Sequence, residues 1–225
     1  TNGATLTDAE GVGTIENDDG VVITRVHDIQ GTGANTPLDG QTVTIRAIVT
    51  GDYEDGIGAN GDLNGFYVQE EDADADADPL TSEGLFIFDG SAPSVPVEKG
   101  DLVEITGTAG EAFGQTQLSD VSVTVLSSGN ALPTAATLNL PADDFAREAV
   151  EGMLVNIPQE TFLTEYFNFD RFGEIVVAAN DDASNQPGTD GRLDQFNVFN
   201  APDHAGFAAY QDAIDQRRLV DDQGQ

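Results

Sequence analysis

Acidic side chains at regular spacing form the part of this sequence best suited to chemistry. Residues 70–79 read EEDADADADP, and a further glutamate follows at position 83. Alternate aspartates of an extended backbone point to one side, where they repel one another unless water or a cation lies between them. Five carboxylates occupy positions one, three, five, seven and twelve of a calcium-binding loop: Asp72, Asp74, Asp76, Asp78 and Glu83. We predict calcium ligands here, with a solvated acidic hairpin as the alternative, because Ala77 stands where such loops need glycine.

A second stretch of short oxygen-bearing side chains precedes the first. Four residues share the loop spacing, with glycine at position six: Asn60, Asp62, Asn64 and Glu71. The residues after Gly65, FYVQ, read as a strand that enters the core, which conflicts with wrapping around an ion. These four residues are therefore the second choice for calcium, and one ion held by both loops is a further option.

Aromatic side chains beside an arginine form the other candidate site. Residues 165–174 read EYFNFDRFGE, and residues 65–67 read GFY. Exposed rings next to a guanidinium stack nucleobases or sugars, as in single-strand binding proteins, whereas core packing with a cation–π contact is the common alternative. The candidates for contact with nucleic acid are Tyr67, Tyr166, Phe169 and Arg171.

Motifs of enzymatic catalysis are absent from the sequence. The two histidines, His27 and His204, lack a zinc-binding spacing, which disfavours a zinc site. The chain has no Gly-x-Ser-x-Gly turn and no phosphate-binding Walker loop. Zero cysteines exclude disulfides and thiolate metal ligands. We therefore expect a chain that is not an enzyme, has no catalytic residues and uses no organic cofactor.

The charge of the chain limits its partners. Its 225 residues include 41 Asp and Glu against 8 Lys and Arg, a formal charge of −33. A conventional DNA-binding protein needs a basic stripe, and an anionic membrane surface repels such a chain. No stretch approaches the roughly 18 apolar residues that span a bilayer, so we expect no membrane insertion. Salt and divalent cations make this charge tolerable, which predicts an extracellular or cell-surface protein, from a marine or halophilic source.

Short β runs separated by Gly, Asp and Asn turns must position these groups. Six runs show alternation or β-branched enrichment, at residues 21–25, 41–50, 65–70, 84–89, 101–108 and 121–126. They predict a mainly β chain with a small antiparallel barrel or sandwich over residues 20–128. Residues 129–225 combine a proline-bounded linker, two further strand-like runs and two helical patterns. This second part predicts a small β unit with short helices.

Six segments of the sequence carry a family resemblance. They are residues 25–33 (RVHDIQGTG), 37–44 (PLDGQTVT), 65–72 (GFYVQEED), 81–88 (TSEGLFIF), 166–174 (YFNFDRFGE) and 217–222 (RRLVDD). In this order they resemble the non-catalytic OB-like region of ExeM/NucH-type extracellular nucleases, over about residues 22 to 222. The resemblance implies an OB-like barrel and a metal-dependent catalytic domain after Gln225, whose own motifs are absent here. Residues 1–19, which end in GVGTIENDD, resemble the tail of a Calx-beta domain, a calcium-binding β-sandwich module.

These observations lead to a specific functional hypothesis. We expect a calcium-binding, non-catalytic accessory module of a secreted nuclease. It would position or assist a neighbouring endonuclease/exonuclease/phosphatase domain of the same polypeptide on extracellular DNA, including single strands. The alternative is a calcium-stiffened structural spacer in a surface adhesin. Carbohydrate binding through exposed aromatic residues is a third hypothesis.

Overall fold

The chain is mainly β in the residues that the computed structural model describes, which are 20–54, 63–90, 95–167, 175–179 and 203–221. These residues form a five-stranded barrel, a second β unit and three short helices. The prediction of a mainly β chain, with a small barrel followed by a β unit with short helices, is confirmed. A likeness of the barrel to the OB fold in particular, and the domain boundaries, stay predictions. The Calx-beta-like residues 1–19 lie outside the described residues.

Five strands close the barrel. They are β1 (Thr42–Tyr53), β2 (Gly65–Gln69), β3 (Gly84–Phe88), β4 (Leu102–Ala112) and β5 (Gln115–Ser127). Their order around the barrel is β1, β2, β3, β5, β4 and back to β1. The alternation predicted for β1 is observed up to Ala47, and the inward side chains Val43, Ile45, Ala47 and Val49 are all buried; Ile48, on the other face, is buried as well. The core of the barrel is built by side chains two positions apart along β1, β2 and β3, whereas a register shift in β5 separates Leu118 from Val123.

One strand pair differs from the antiparallel expectation. β3 and β5 are parallel, with Phe86 paired to Gln117 and Ile87 to Leu118. The reason is the direction of the chain. β2 and β4 both run antiparallel to β1, and β3 and β5 each reverse direction once more. The two strands that complete the barrel therefore run the same way.

A short helix precedes β1 in the sequence. Residues 21–25, predicted as a strand, are not in one, although the Thr24 N–H donates to the Thr44 carbonyl oxygen at 2.7 Å. Helix α1 (Val26–Gln30) follows directly. Val26 and Ile29 are fully buried and pack in the barrel core. Their spacing of three residues turns both side chains inward, so α1 covers one end of the barrel.

The second β unit combines short strands with two helices. Its elements are β6 (Ala136–Thr137), α2 (Asp144–Glu148), β7 (Val155–Asn156), β8 (Thr161–Glu165), β9 (Ile175–Ala179), α3 (His204–Asp215) and β10 (Arg218–Asp221). Strands β10, β9 and β8 form one sheet in that order, and β6 pairs with β7 in parallel. The helix predicted over residues 206–220 ends earlier, because the chain continues into β10. None of the helices in the described part of the chain has the length and apolar character needed to cross a bilayer.

Directed hydrogen bonds join the barrel to the second unit. The Gln69 side chain donates to the Thr134 carbonyl oxygen at 3.1 Å and accepts from the Leu154 N–H at 3.0 Å. The Ser82 hydroxyl donates to the Glu151 carbonyl oxygen at 2.6 Å. Gln69 and Ser82 are both buried. Because buried polar groups are costly when unpaired, these bonds fix the second unit against the ends of β2 and β3.

The contact between the two parts requires a glycine at position 84. A Cβ atom on Gly84 would lie 2.3 Å from the carbonyl carbon of Gly152 and 2.4 Å from the Met153 nitrogen. Both atoms belong to the backbone, so no side-chain rotation relieves the overlap. We expect Gly84→Ala to lower the free energy of unfolding by roughly 2 kcal/mol or more, measured by urea denaturation.

The matched control is Gly33→Ala, where a Cβ meets no heavy atom within 4 Å. Gly33→Ala should change the free energy of unfolding by no more than about 0.5 kcal/mol. Equal stability of the Gly84→Ala and Gly33→Ala variants would contradict the close approach.

Candidate functional site

The acidic segment, residues 70–83, connects β2 to β3 and is closed at its base by the pairing of these strands. Gln69 is paired with Gly84 in the antiparallel register, and the Glu70 N–H donates to the Glu83 carbonyl oxygen at 3.0 Å. Opposed residues at the ends of paired strands lie close together. The two glutamates that flank the aspartates are therefore neighbours.

The first two predicted calcium ligands have partners outside the acidic segment. Asp72 accepts hydrogen bonds from the Thr134 N–H at 2.8 Å and the Thr134 hydroxyl at 2.6 Å. These bonds lower the pKa of Asp72. Asp74 forms an ion pair with Arg25 at 2.6 Å. Both carboxylates are thus directed at protein groups far away in the sequence.

The other three predicted ligands each accept a hydrogen bond from within the segment. Asp76 accepts from the Asp78 N–H at 2.8 Å and from the Thr81 hydroxyl at 3.0 Å. Asp78 accepts from the Leu80 N–H at 3.0 Å, and Glu83 from the Asp76 N–H at 2.8 Å. In the described part of the chain, no three of the five predicted carboxylates bring oxygen atoms within 4.8 Å of one another. The structure does not gather them around one point.

The second-choice calcium loop is described only in part. Asn60 and Asp62 lie outside the described residues. Asn64 has a φ of 55°, and its carbonyl oxygen accepts from the N–H groups of Asp89 and Gly90. Glu71 is exposed at the start of the acidic segment. Calcium at this loop stays a prediction.

One cluster in the described residues does bring three candidate ligand atoms together. It consists of His27 on α1, Glu70 directly after β2 and Glu83 directly before β3. His27 Nδ1 lies 3.1 Å from Glu70 Oε2 and 3.1 Å from Glu83 Oε2. We call these residues the His27–Glu70–Glu83 cluster. It joins the helix to the two strands that the acidic segment connects.

Each glutamate of the cluster is held by a backbone N–H group. The Val26 N–H bonds to the Glu70 carboxylate, and the Asp76 N–H donates to Glu83 Oε1. The other oxygen of each carboxylate, Oε2, faces His27 Nδ1. Both carboxylates are therefore oriented by the backbone, with one oxygen directed into the cluster.

Glu70 Oε2 accepts no hydrogen bond, although the Glu70 side chain is only 1% exposed. Its distance of 3.1 Å from Nδ1 is short enough for one, but the ring nitrogen is aligned with Glu83 instead. An imidazole Nδ1 carries at most one proton. The single N–H is directed at Glu83, so among the described residues Glu70 Oε2 has no hydrogen-bond donor and only an electrostatic contact with the ring.

The charge states of the cluster follow from burial and proximity. Burial, together with the contact to Glu83, raises the pKa of Glu70 to about 8. Burial lowers the pKa of His27, but hydrogen bonding to Glu83 and the charges of Glu83, Glu70 and Asp76 outweigh it, so the net shift is upward. Arg25 contributes positive charge at the rim, with Nη1 at 3.8 Å from Glu70 Oε1. The cluster therefore has two carboxyl groups in a setting that favours a neutralising cation or proton.

The aromatic candidates fall on different parts of the molecule. On β2, Phe66 is fully buried in the barrel core, so the next residue, Tyr67, lies on the outer face, where it is half-buried. The Tyr67 ring meets Tyr53 edge-on at 5.8 Å between centroids and Phe86 at 4.9 Å. Its hydroxyl accepts a hydrogen bond from Gln115 Nε2 at 2.9 Å. We call Tyr53, Tyr67 and Phe86 the aromatic face.

The predicted aromatic partners in the second unit are described only in part. Tyr166 follows β8 and is 71% exposed. Phe169 and Arg171 lie outside the described residues. The structure thus places Tyr67 and Tyr166 on the surface but does not test the proposed contact with Arg171.

Sequence reasoning missed two members of the cluster. His27 has no second histidine at zinc-binding spacing, and Glu70 falls outside the calcium-loop numbering. The sequence does contain a signal that relates Glu70 to Glu83. Strands predicted at residues 65–70 and 84–89 pair across the acidic segment, which places Glu70 opposite Glu83. No local pattern connects His27 to them.

Known proteins do not extend these observations. Comparison of the chain with models of protein families, with curated proteins and with solved structures gives no match. The resemblance to the OB-like region of ExeM/NucH-type nucleases and to a Calx-beta domain therefore stays a prediction based on the sequence segments.

A second group of carboxylates lies where the barrel meets the second unit. Glu151 accepts from the Thr116 N–H at 2.7 Å, and Glu111 accepts from the Thr116 hydroxyl at 2.9 Å. Burial, with Glu148 and Glu111 nearby, raises the pKa of Glu151 to about 8. The protonated form of Glu151 is thus favoured by folding.

This raised pKa predicts a pH-dependent stability. The folded protein binds the proton of Glu151 more tightly than the unfolded chain, whose ordinary pKa is 4.5. The stabilisation by this group is full below pH 4.5 and is lost as the pH rises through about 8. Glu151→Gln keeps the acceptor for Thr116 and removes the titration. We expect a melting temperature about 2–4 °C above that of the parent chain near pH 8, and little difference near pH 4.5.

Glu98→Gln serves as the control, since Glu98 is exposed. It should change the melting temperature equally at both pH values. A Glu151→Gln effect that does not depend on pH would contradict the assignment.

Proposed function

We propose that the chain is a non-catalytic accessory module of a secreted nuclease, which positions a neighbouring catalytic domain and contacts single-stranded DNA through the aromatic face of the barrel. The observation that carries this proposal is the fixed ring of Tyr67. It lies on the outer surface of β2, packed against Tyr53 and Phe86 and hydrogen-bonded to Gln115. A ring held in this way stacks on a nucleobase with little loss of conformational entropy.

The charge of the module sets the conditions for such contact. With a formal charge of −33, the chain repels phosphates at low salt. Stacking on a base face does not require a basic surface, and divalent cations at exposed carboxylates offset the repulsion. The exposed aspartates of the acidic segment, among them Asp78, supply sites for Ca²⁺ of this kind. Calcium is therefore part of the proposal, as a bridge to phosphate.

The structural spacer is the second candidate, and a different observation favours it. The barrel and the second unit are joined by bonds from buried side chains, including Gln69 to Thr134 and Leu154. Such bonds resist bending between the two parts. A spacer needs this stiffness and no recognition of nucleic acid, so a binding experiment separates the two functions.

The first prediction concerns catalysis. We expect the 225-residue chain to release no nucleotides from single- or double-stranded DNA in the presence of Mg²⁺ or Ca²⁺, measured by a fluorescent cleavage assay. Turnover that a single point substitution abolishes would overturn the accessory role, because that result would place catalytic residues within this chain.

The second prediction concerns binding. Titration of a fluorescent single-stranded oligonucleotide in Ca²⁺ should saturate, and Tyr67→Ala should weaken binding by about 1–3 kcal/mol, the contribution of one stacked base. Tyr166→Ala is expected to weaken it as well. Phe145→Ala is the matched control, since Phe145 on α2 is also an exposed aromatic residue, at 74%. Absence of binding at every salt concentration would exclude the accessory function on DNA and leave the spacer.

A further inference from the structure

We propose that His27, Glu70 and Glu83 form a binding site for one divalent transition-metal ion of the Zn²⁺ class, held by His27 Nδ1 and the Oε2 atoms of both glutamates. The site shares Glu83 with the calcium loop predicted from sequence spacing, but its other ligands, His27 and Glu70, lie outside that loop. It is also independent of DNA contact at the aromatic face.

The distances between the three donor atoms suit a small ion. His27 Nδ1 lies 3.1 Å from each of the two Oε2 atoms. Zinc binds nitrogen and carboxylate oxygen at about 2.0–2.2 Å in tetrahedral geometry, in which neighbouring ligand atoms are about 3.3 Å apart. The two distances from Nδ1 are close to this value, and the ligand atoms of all three residues lie within 4.8 Å of one another.

The unsatisfied oxygen of Glu70 is the observation that points to a ligand. Glu70 is almost completely buried, and its Oε2 atom accepts no hydrogen bond while facing the cluster. A buried carboxylate oxygen that accepts no hydrogen bond is unfavourable, even with an imidazole ring nearby. A cation between Nδ1 and the two carboxylates satisfies all three donors at once. A proton shared by Glu70 and Glu83 is the competing explanation.

The groups around the cluster already hold the ligands in place. The Val26 N–H bonds to Glu70 and the Asp76 N–H to Glu83, which leaves one oxygen of each carboxylate directed at the centre. On the other side of the ring, His27 Nε2 faces Asp76 Oδ2 at 3.9 Å. Metal-binding histidines commonly have a carboxylate near the second ring nitrogen, which orients the ring.

The type of donor decides the class of ion. Ca²⁺ and Mg²⁺ favour oxygen ligands, and Ca²⁺ takes six to eight of them. An imidazole nitrogen with two carboxylates suits Zn²⁺ and its neighbours in the first transition series. The two carboxylates also balance the charge of a divalent ion. His27 therefore makes the cluster selective for such ions. The aspartates of the acidic segment offer only oxygen ligands and lack this selectivity.

Surface clefts give an ion access to the cluster. One cleft of about 450 Å³ is lined by His27, Asp76 and Thr81. Another, of about 430 Å³, lies between the acidic segment and the second unit and is lined by Asp76 and Glu83. The clefts thus lead from solvent to His27 and Glu83, past the carboxylate of Asp76, and Glu70 lies behind them.

Metal binding is tested on the whole 225-residue chain after treatment with a chelator. Calorimetric titration with Zn²⁺ is performed in the presence of an approximately 100-fold excess of Ca²⁺, which occupies the exposed carboxylates. We expect one tight equivalent of Zn²⁺ and a higher melting temperature, because a ligand selective for the folded state stabilises it. Co²⁺ in place of Zn²⁺ should give the visible absorption of a tetrahedral site.

Two substitutions and one control assign the ligands. His27→Gln and Glu70→Gln should each weaken Zn²⁺ binding by at least about 10-fold, whereas Glu98→Gln, at an exposed glutamate outside the cluster and the acidic segment, should leave it unchanged. Circular dichroism shows whether each variant is folded. In the parent chain, the ring nitrogen signals of His27 in NMR should shift on addition of Zn²⁺, so the assignment does not depend on the variants alone.

Several results would overturn the site. They are the absence of a tight equivalent, displacement of Zn²⁺ by Ca²⁺, unchanged affinity in a folded His27→Gln variant, and unchanged His27 signals in NMR. Weak binding of many ions, equal in the parent chain and in His27→Gln, would indicate nonspecific binding by surface carboxylates and would count against it too. None of these results bears on the oligonucleotide titration.

Discussion

Neutralisation of the buried Glu70 carboxyl group is the constraint on which the corner between α1, β2 and β3 depends. A charged carboxylate in this position is costly unless opposite charge or hydrogen bonds compensate for it. The Val26 N–H and His27 on the helix oppose this cost, whereas Glu83 before β3 adds to it and favours the protonated carboxyl group of Glu70. The position of the helix on the barrel is therefore coupled to the charge state of one side chain.

The barrel could be predicted in large part from the sequence, whereas α1 could not. The alternation along β1 fixes which side chains point inward, so the buried set from Val43 to Val49 follows from a local pattern. Helix α1 has only five residues, too few for a helical period to show. Val26 and Ile29 are equally compatible with a strand, and packing on the barrel decides in favour of the helix. The parallel β3–β5 pair likewise depends on barrel closure, which no single segment encodes.

In the candidate site, too, some features follow from neighbouring residues, and others depend on contacts between residues far apart in the sequence. Loop spacing assumes that aspartates near one another in sequence bind one ion, but Asp72 bonds to Thr134 and Asp74 to Arg25. These partners come from other parts of the chain and compete for the carboxylates. Strand pairing does predict that Glu70 meets Glu83. The contribution of His27 depends on where α1 packs, so it becomes visible only in three dimensions.

Closure of the barrel has a consequence for the behaviour of the protein in concentrated solution. Mutual repulsion between chains of charge −33 opposes association at low ionic strength. At 0.1 M salt this repulsion is largely screened beyond about 10 Å. Open sheets then become prone to aggregation, because a free strand edge pairs with the edge of another molecule. The parallel β3–β5 contact leaves the barrel no such edge. Colloidal stability of this part of the chain therefore rests on topology as well as on charge.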